Sequence, residues 1–272
     1  MSAGKDRETL EQLGITAETT KQAAIGIVQN ALARHKDAAV RATCAKVLGR
    51  FEAKSAGEVL TRALADPNAD VRRWAAQALG VIGEKRALQA LAQLLKKDPS
   101  WQSRLAIVRA LKTIGDRRAG AALAEALAKD PDWRVRKEAA DAISAMADKR
   151  AAKHLIQALS DPHANVRAAA AAALGQMGER RALDKLIELL QDEDARVRFT
   201  AAAALGKLAS KKAVKPLIAC LDDEDARVRS HCAIALGSIG SSKAIKPLQE
   251  LVENDPDEHV RDVAEEAIEK IK

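Results

Sequence analysis

A Val-Arg dipeptide recurs at Val40-Arg41, Val71-Arg72, Val135-Arg136, Val166-Arg167, Val197-Arg198, Val228-Arg229 and Val260-Arg261, and Ser103-Arg104 fills the one gap. The steps between successive arginines are 31, 32, 32, 31, 31, 31 and 32 residues. So short a unit cannot close an apolar core by itself, and a chain locked to this period must bury each copy against the next. Eight units account for nearly everything after about residue 17. The sequence therefore divides into an N-terminal extension or cap, 1–17, and a single repeat array, 18–272.

Each unit has the same internal pattern. In DPNADVRRWAAQALGVIGEKRALQALAQLL, the residues Val71, Ala75, Ala78, Leu79 and Ile82 form one stripe of a helix, and Leu88, Leu91 and Leu95 form another. Asn68, Ser100, Asp132, Asp194, Asp225 and Asp257 are N-cap residues, and His163 breaks that rule. Gly83, Gly115, Gly178 and Gly240 stand where helices end, while Pro216 and Pro247 fall near helix starts and predict no more than a bend. Composition agrees. There are three Trp, two Phe and no Tyr in 272 residues, which is poor filling for a pleated core, so the fold class is all-α.

The pattern D-x-x-x-x-V-R-x-x-A-A-x-A-L-G-x-I-G, seen in DPNADVRRWAAQALGVIG, DPHANVRAAAAAALGQMG and DEDARVRSHCAIALGSIG, resembles the short HEAT-like repeats named after phycobilisome lyases. The resemblance covers about 18–272 and implies an α-solenoid of about eight two-helix repeats of 31–32 residues. Tetratricopeptide and ankyrin arrays have similar periods, but neither the Trp/Tyr signature of the first nor the TPLH of the second occurs. The resemblance further implies a non-enzymatic scaffold or adaptor of bacterial regulatory assemblies, with a lyase-like role on a chromophore protein as an alternative. It supplies a structural role for the repeated Arg, which should pair with the capping acid of its own or the next unit.

None of the five histidines is followed by Glu, so the di-iron His-Glu pairs of deoxyhypusine-class hydroxylases are absent. No HExxH, CxxC, GxSxG or phosphate-binding glycine loop occurs, and neither a cofactor nor a metal is expected. Cys44, Cys220 and Cys232 are odd in number and irregular in spacing, which suits small buried apolar residues in a reducing compartment. No apolar run is long enough to span a membrane, and the opening MSAGKDRETLEQLG lacks the apolar stretch of a signal peptide. The expectation is a soluble, cytoplasmic, monomeric protein.

The net charge of +7 is uneven: residues 1–136 hold 24 Lys+Arg against 15 Asp+Glu, and 137–272 hold 21 against 23. Basic pairs such as Lys85-Arg86, Arg117-Arg118 and Lys211-Lys212 follow the Val-Arg helices, and acidic clusters precede them. Helix dipoles explain both signs, though not the doubling of the bases.

If the second helix of each unit lines the concave face, as the resemblance implies, the positions free of packing duty are two before Val-Arg, two after it, and one a turn later. They hold Arg73, Trp74 and Gln77; Trp101, Gln102, Leu105 and Arg109; Trp133, Arg134 and Lys137; and Arg196 and Phe199. All three Trp and Phe199 thus fall on expected solvent positions, and only Phe51 on a core position. Trp and Arg are enriched where proteins bind proteins, so these residues form the candidate site for a partner protein or peptide of acidic character. The competing reading is a nucleic-acid backbone held by the same Arg residues and the basic edge, with Trp stacking.

Overall fold

The computed structural model describes residues 3–272, in which there are seventeen α-helices and no strand. After α1 (Ala3–Gln12) come eight pairs in chain order. They are α2 (Lys21–Arg34) with α3 (Ala38–Arg50), α4 (Gly57–Ala63) with α5 (Ala69–Ile82), and α6 (Leu88–Lys97) with α7 (Trp101–Ile114). Next are α8 (Gly120–Lys129) with α9 (Trp133–Ala145), α10 (Ala152–Ala158) with α11 (Ala164–Gln176), and α12 (Leu183–Glu188) with α13 (Ala195–Leu208). The last are α14 (Val214–Ala219) with α15 (Ala226–Ile239), and α16 (Ile245–Asn254) with α17 (Glu258–Ile271). The fold is an all-α solenoid.

Packing divides the chain into two compact units, Met1–Ala126 and Leu127–Lys272. In the first, the Val-Arg helices α3, α5 and α7 pack directly on one another; in the second, α9, α11, α13, α15 and α17 do the same. Within each unit the short helix packs on the Val-Arg helix that follows it, as α4 does on α5 and α6 on α7 in the first, and α10 on α11 and α14 on α15 in the second. The structural pair therefore begins one helix earlier than the Val-Arg dipeptide from which the sequence period is read.

The Val-Arg helices come close because of a glycine inside them. A Cβ on Gly80 would lie 2.8 Å from Ala110 Cα, one on Gly175 2.7 Å from Ala204 Cα, and one on Gly237 2.9 Å from Ala267 Cα. Each glycine thus accepts the backbone of the next helix, which offsets its poor helix propensity. Lys112 and Ser144 hold this place in α7 and α9.

The repeated Arg is structural, and its partner is not the capping acid. Arg72 gives Asp98 two hydrogen bonds of 2.7 and 2.8 Å, while its other terminal nitrogen donates to the carbonyls of Asp66 and Pro67. Arg41 binds Asp66, Arg136 binds Asp161, Arg167 binds Asp192, Arg198 binds Asp223 and Arg229 binds Asp255 in the same two-pronged way. The acid always stands two residues before the N-cap of the following pair, where it also accepts that cap's own N–H, as Asp66 does from Asn68. Each Arg thereby ties its own loop to the next one. These fork-to-carboxylate pairs fix geometry, and breaking one strands a charge in a nearly dry place.

The N-caps form as the sequence indicates, including Asn68 to the N–H groups of Asp70 and Val71 and Asp194 to that of Arg196. His163 does not break the rule, because its Nδ1 accepts from Asn165 N at 3.3 Å. Gly83, Gly115, Gly178 and Gly240 all have left-handed backbone, and Glu52, Ala147 and Ala209 hold it at φ 51°, 48° and 48° where glycine is missing. Pro216 and Pro247 are the third residues of α14 and α16, inside the first turn, where no backbone N–H is needed.

Candidate functional site

The Val-Arg helices of the first unit carry two neighbouring grooves. One, of about 420 Å³, lies between α5 and α7 and is lined on one side by Arg73, Gln77 and Val81. Those residues are four apart and share a helix face. On the other side stand Trp101, Gln102, Leu105, Arg109 and Thr113. The second groove, of about 410 Å³, lies between α3 and α5 and is lined by Lys46, Arg50, Glu52 and Trp74, again with Gln77 and Val81. The two grooves flank one crest on α5. Val81 on that crest is 49% exposed, one of few large apolar side chains left to solvent.

The aromatic side chains are half-buried, not solvent-facing as expected, because charged or aromatic neighbours cover them. Trp74 has the Arg73 guanidinium 4.7 Å and the Lys46 ammonium 5.2 Å from its ring centre, cation–π contacts that hold it in place. Lys46 in turn pairs with Asp6 of α1 at 2.5 Å, and Arg73 with Asp70 at 2.7 Å. Phe51, expected in the core, is half-buried at the C-terminal end of α3. Trp101 and Trp133 are the first residues of α7 and α9, whereas Trp74 is one turn further into α5, so the three tryptophans do not share one repeat position.

Of the sequence-derived candidates, the structure brings Arg73, Trp74, Gln77, Trp101, Gln102, Leu105 and Arg109 into these two grooves. The others lie in the second unit. Trp133 stacks on His163 with ring centres 4.0 Å apart and planes 9° apart. Arg134 folds back on Asp132, and Lys137 pairs with Asp141 at 2.7 Å. Phe199 meets His231 at 5.0 Å with the Arg227 guanidinium 5.6 Å from its ring, and Arg196 binds Asp194 and Asn165. These two clusters lie on α9 with α11 and on α13 with α15, and Asn165 links them, its side chain accepting from Arg196 and its N–H donating to His163. Sequence reasoning missed Lys46, Arg50, Val81 and Thr113. Aligning the repeats column by column would have found them, since Arg50, Val81 and Thr113 occupy one repeat position and Lys46, Gln77 and Arg109 another.

The doubled bases have a local explanation. Arg118 folds back on Asp116, Arg150 on Asp148 and Arg181 on Glu179, each with two hydrogen bonds of 2.8 to 3.0 Å. The Arg118 guanidinium holds the Asp116 carboxyl down at about 2, with Lys85 of the preceding repeat adding to the effect. One base of each such pair thus serves its own turn. The three cysteines are buried and free; burial pushes the Cys44 thiol up to about 12, far from a reactive thiolate. Among the described residues, no cluster of three or more His, Cys, Asp or Glu could hold a metal ion. No helix among them is long and apolar enough to cross a membrane.

The family model for HEAT repeats matches residues 27–102, 88–163, 152–225 and 193–269. The chain is a HEAT-repeat protein. Among solved structures, this HEAT-repeat chain is similar to Escherichia coli YibA, at 22% identity and a TM-score of 0.67 over 100% of this chain and 98% of that one. It is similar to an engineered protein at 23% and 0.59, over 98% and 84% of the two chains. It is also similar to the complex of CpcE and CpcF of phycocyanin lyase from Nostoc sp. PCC7120, at 22% and 0.50, over 95% and 98%. At these identities the likeness is one of fold. No curated protein matches this chain in sequence.

Proposed function

We propose that this HEAT-repeat chain is a non-enzymatic scaffold or adaptor that holds a partner protein or peptide segment in the grooves flanking α5. The observation that carries this reading is the shared crest. Exposed Val81 stands between two half-buried tryptophans, with Lys46, Arg50, Arg73 and Arg109 around them. That combination supplies aromatic anchors, apolar area and a basic rim, which select a partner with apolar side chains among acidic ones. In this reading 18–272 acts as one array behind an N-terminal cap, 1–17. The likeness to CpcE and CpcF offers a lyase-like role on a chromophore protein as a second reading, resting on fold alone.

The test is affinity capture from the source cell with the wild type, Trp101→Ala and Arg109→Glu. Both variants should remain folded and lose the same captured protein, with binding weakened by about 2 kcal/mol for a hot-spot Trp. Capture that is unaffected by both changes refutes the groove as the binding site.

A further inference from the structure

The turn after each Val-Arg helix can be compared from repeat to repeat. Its opening residue is Glu84, Asp116, Asp148 and Glu179 in four successive repeats, and in each its carboxylate accepts the N–H two residues on. In three of them the same carboxylate also clamps an arginine side chain, as described above. In the next two repeats the acid is replaced by Ser210 and Ser241, neither of which caps its turn. The bases remain. Lys211, Lys212 and Lys215 follow Ser210, and Lys243 and Lys246 follow Ser241. All five are exposed, and none has an ion-pair or hydrogen-bond partner among the described residues. The two turns are neighbours, since the turn Ser242–Ala244 packs against α14, which carries Lys215. One repeat earlier the place of Lys215 and Lys246 is held by Asp184, and one repeat before that by Lys153.

We infer that the five lysines on the turns and short helices following α13 and α15 form a binding surface for the phosphate backbone of a nucleic-acid duplex, separate from the α5 grooves. Three features select that ligand. First, this surface is all Lys, a row of exposed point charges that can meet the repeated charges of a polyanion without the fixed two-pronged geometry that the Arg–carboxylate contacts described above use. Second, the two turns hold no aromatic residue on which the bases of a single strand could stack. Third, the exposed large apolar side chains among the described residues are Ile27, Val81 and Ile234, none in these turns, so nothing there would anchor a lipid surface. Serine hydroxyls at 210, 241 and 242 add neutral donors of the kind that contact phosphate oxygens. Recognition of this sort is independent of base sequence.

The test uses the full chain and a labelled random DNA duplex of about two helical turns, followed by fluorescence anisotropy. With roughly four phosphates neutralised, affinity should fall on the order of a hundredfold between about 50 and 200 mM salt. Ser210→Glu with Ser241→Glu restores the acids of the earlier repeats. It should flatten the salt slope by about two and weaken low-salt binding by one to two orders of magnitude. Lys211→Gln with Lys215→Gln and Lys246→Gln should do the same without adding negative charge, while Lys85→Gln with Arg86→Gln on an earlier turn should change little. Thermal melts check that each variant is folded. The inference is overturned if the duplex does not bind at low salt, or if its binding ignores both sets of changes. It is equally overturned if phosphatidylserine vesicles, and not the duplex, show the lysine dependence. Loss of partner capture by Trp101→Ala is a separate outcome and neither supports nor weakens it.

Discussion

Gly175→Ala isolates what holds the Val-Arg helices against one another. The new methyl carbon would lie 2.7 Å from Ala204 Cα and 2.8 Å from Ala204 Cβ, with the Ala204 carbonyl oxygen at 3.5 Å. The nearest contact is about 1 Å inside the normal carbon–carbon separation. Because the obstructing atom is backbone, α13 must retreat as a whole, which places the cost near the top of the ~1–3 kcal/mol range for overpacking. Alanine returns ~1 kcal/mol of helix propensity, leaving a net loss of about 2 kcal/mol. Gly26 is the reference: it is exposed in α2, and a methyl carbon added there would meet no atom within 4 Å, so Gly26→Ala should stabilise by about 1 kcal/mol. The two identical chemical changes should therefore differ by about 3 kcal/mol in urea unfolding. Adding Ala204→Gly to Gly175→Ala should not recover the loss, because the 2.7 Å contact is with Ala204 Cα and remains when the methyl is removed. If Gly175→Ala stabilises as Gly26→Ala does, the close approach of α11 and α13 is wrong and the packing argument fails with it.

Asp98→Ala leaves the buried Arg72 side chain, 10% exposed, without its carboxylate and should cost about 3 kcal/mol; a double Arg72→Ala, Asp98→Ala variant should cost less than the sum of the single changes in a denaturation cycle. Ala209 holds φ 48°, so Ala209→Gly should stabilise by about 1 kcal/mol, while Gly178→Ala, at φ 65°, should destabilise by a similar amount, both read from urea midpoints. Hydrogen bonds from Arg196 and Arg227 hold the Asp194 and Asp225 carboxyls at about 2, below their unfolded value of roughly 3.9. Their contribution is complete above about pH 4 and lost as pH falls toward 2, so an Asp194→Asn, Asp225→Asn variant should show a shallower acid loss of stability than the wild type across that window.

The period, the helices and their ends are legible in the sequence because each is set within a few residues. Asn68, Ser100 and Asp194 reach N–H groups two or three places on, and Gly83 or Gly240 relieves a backbone angle of its own. His163 keeps the capping rule for an equally local reason: a ring nitrogen can serve as the cap's acceptor, and residue type alone does not say so. The grooves are half legible. Trp74, Trp101, Arg73 and Arg109 stand out by chemistry, whereas Val81 and Lys46 matter only because stacking sets α3, α5 and α7 side by side. The sequence by itself determined that the chain repeats, where its helices start and stop, and which stripe of each is apolar. Only the tertiary structure decided that Arg72 reaches Asp98 rather than its own cap, and that Gly80 is a seat for Ala110. Those partners stand one repeat away along the chain, and the distance between them is fixed by how helices pack, not by the local backbone.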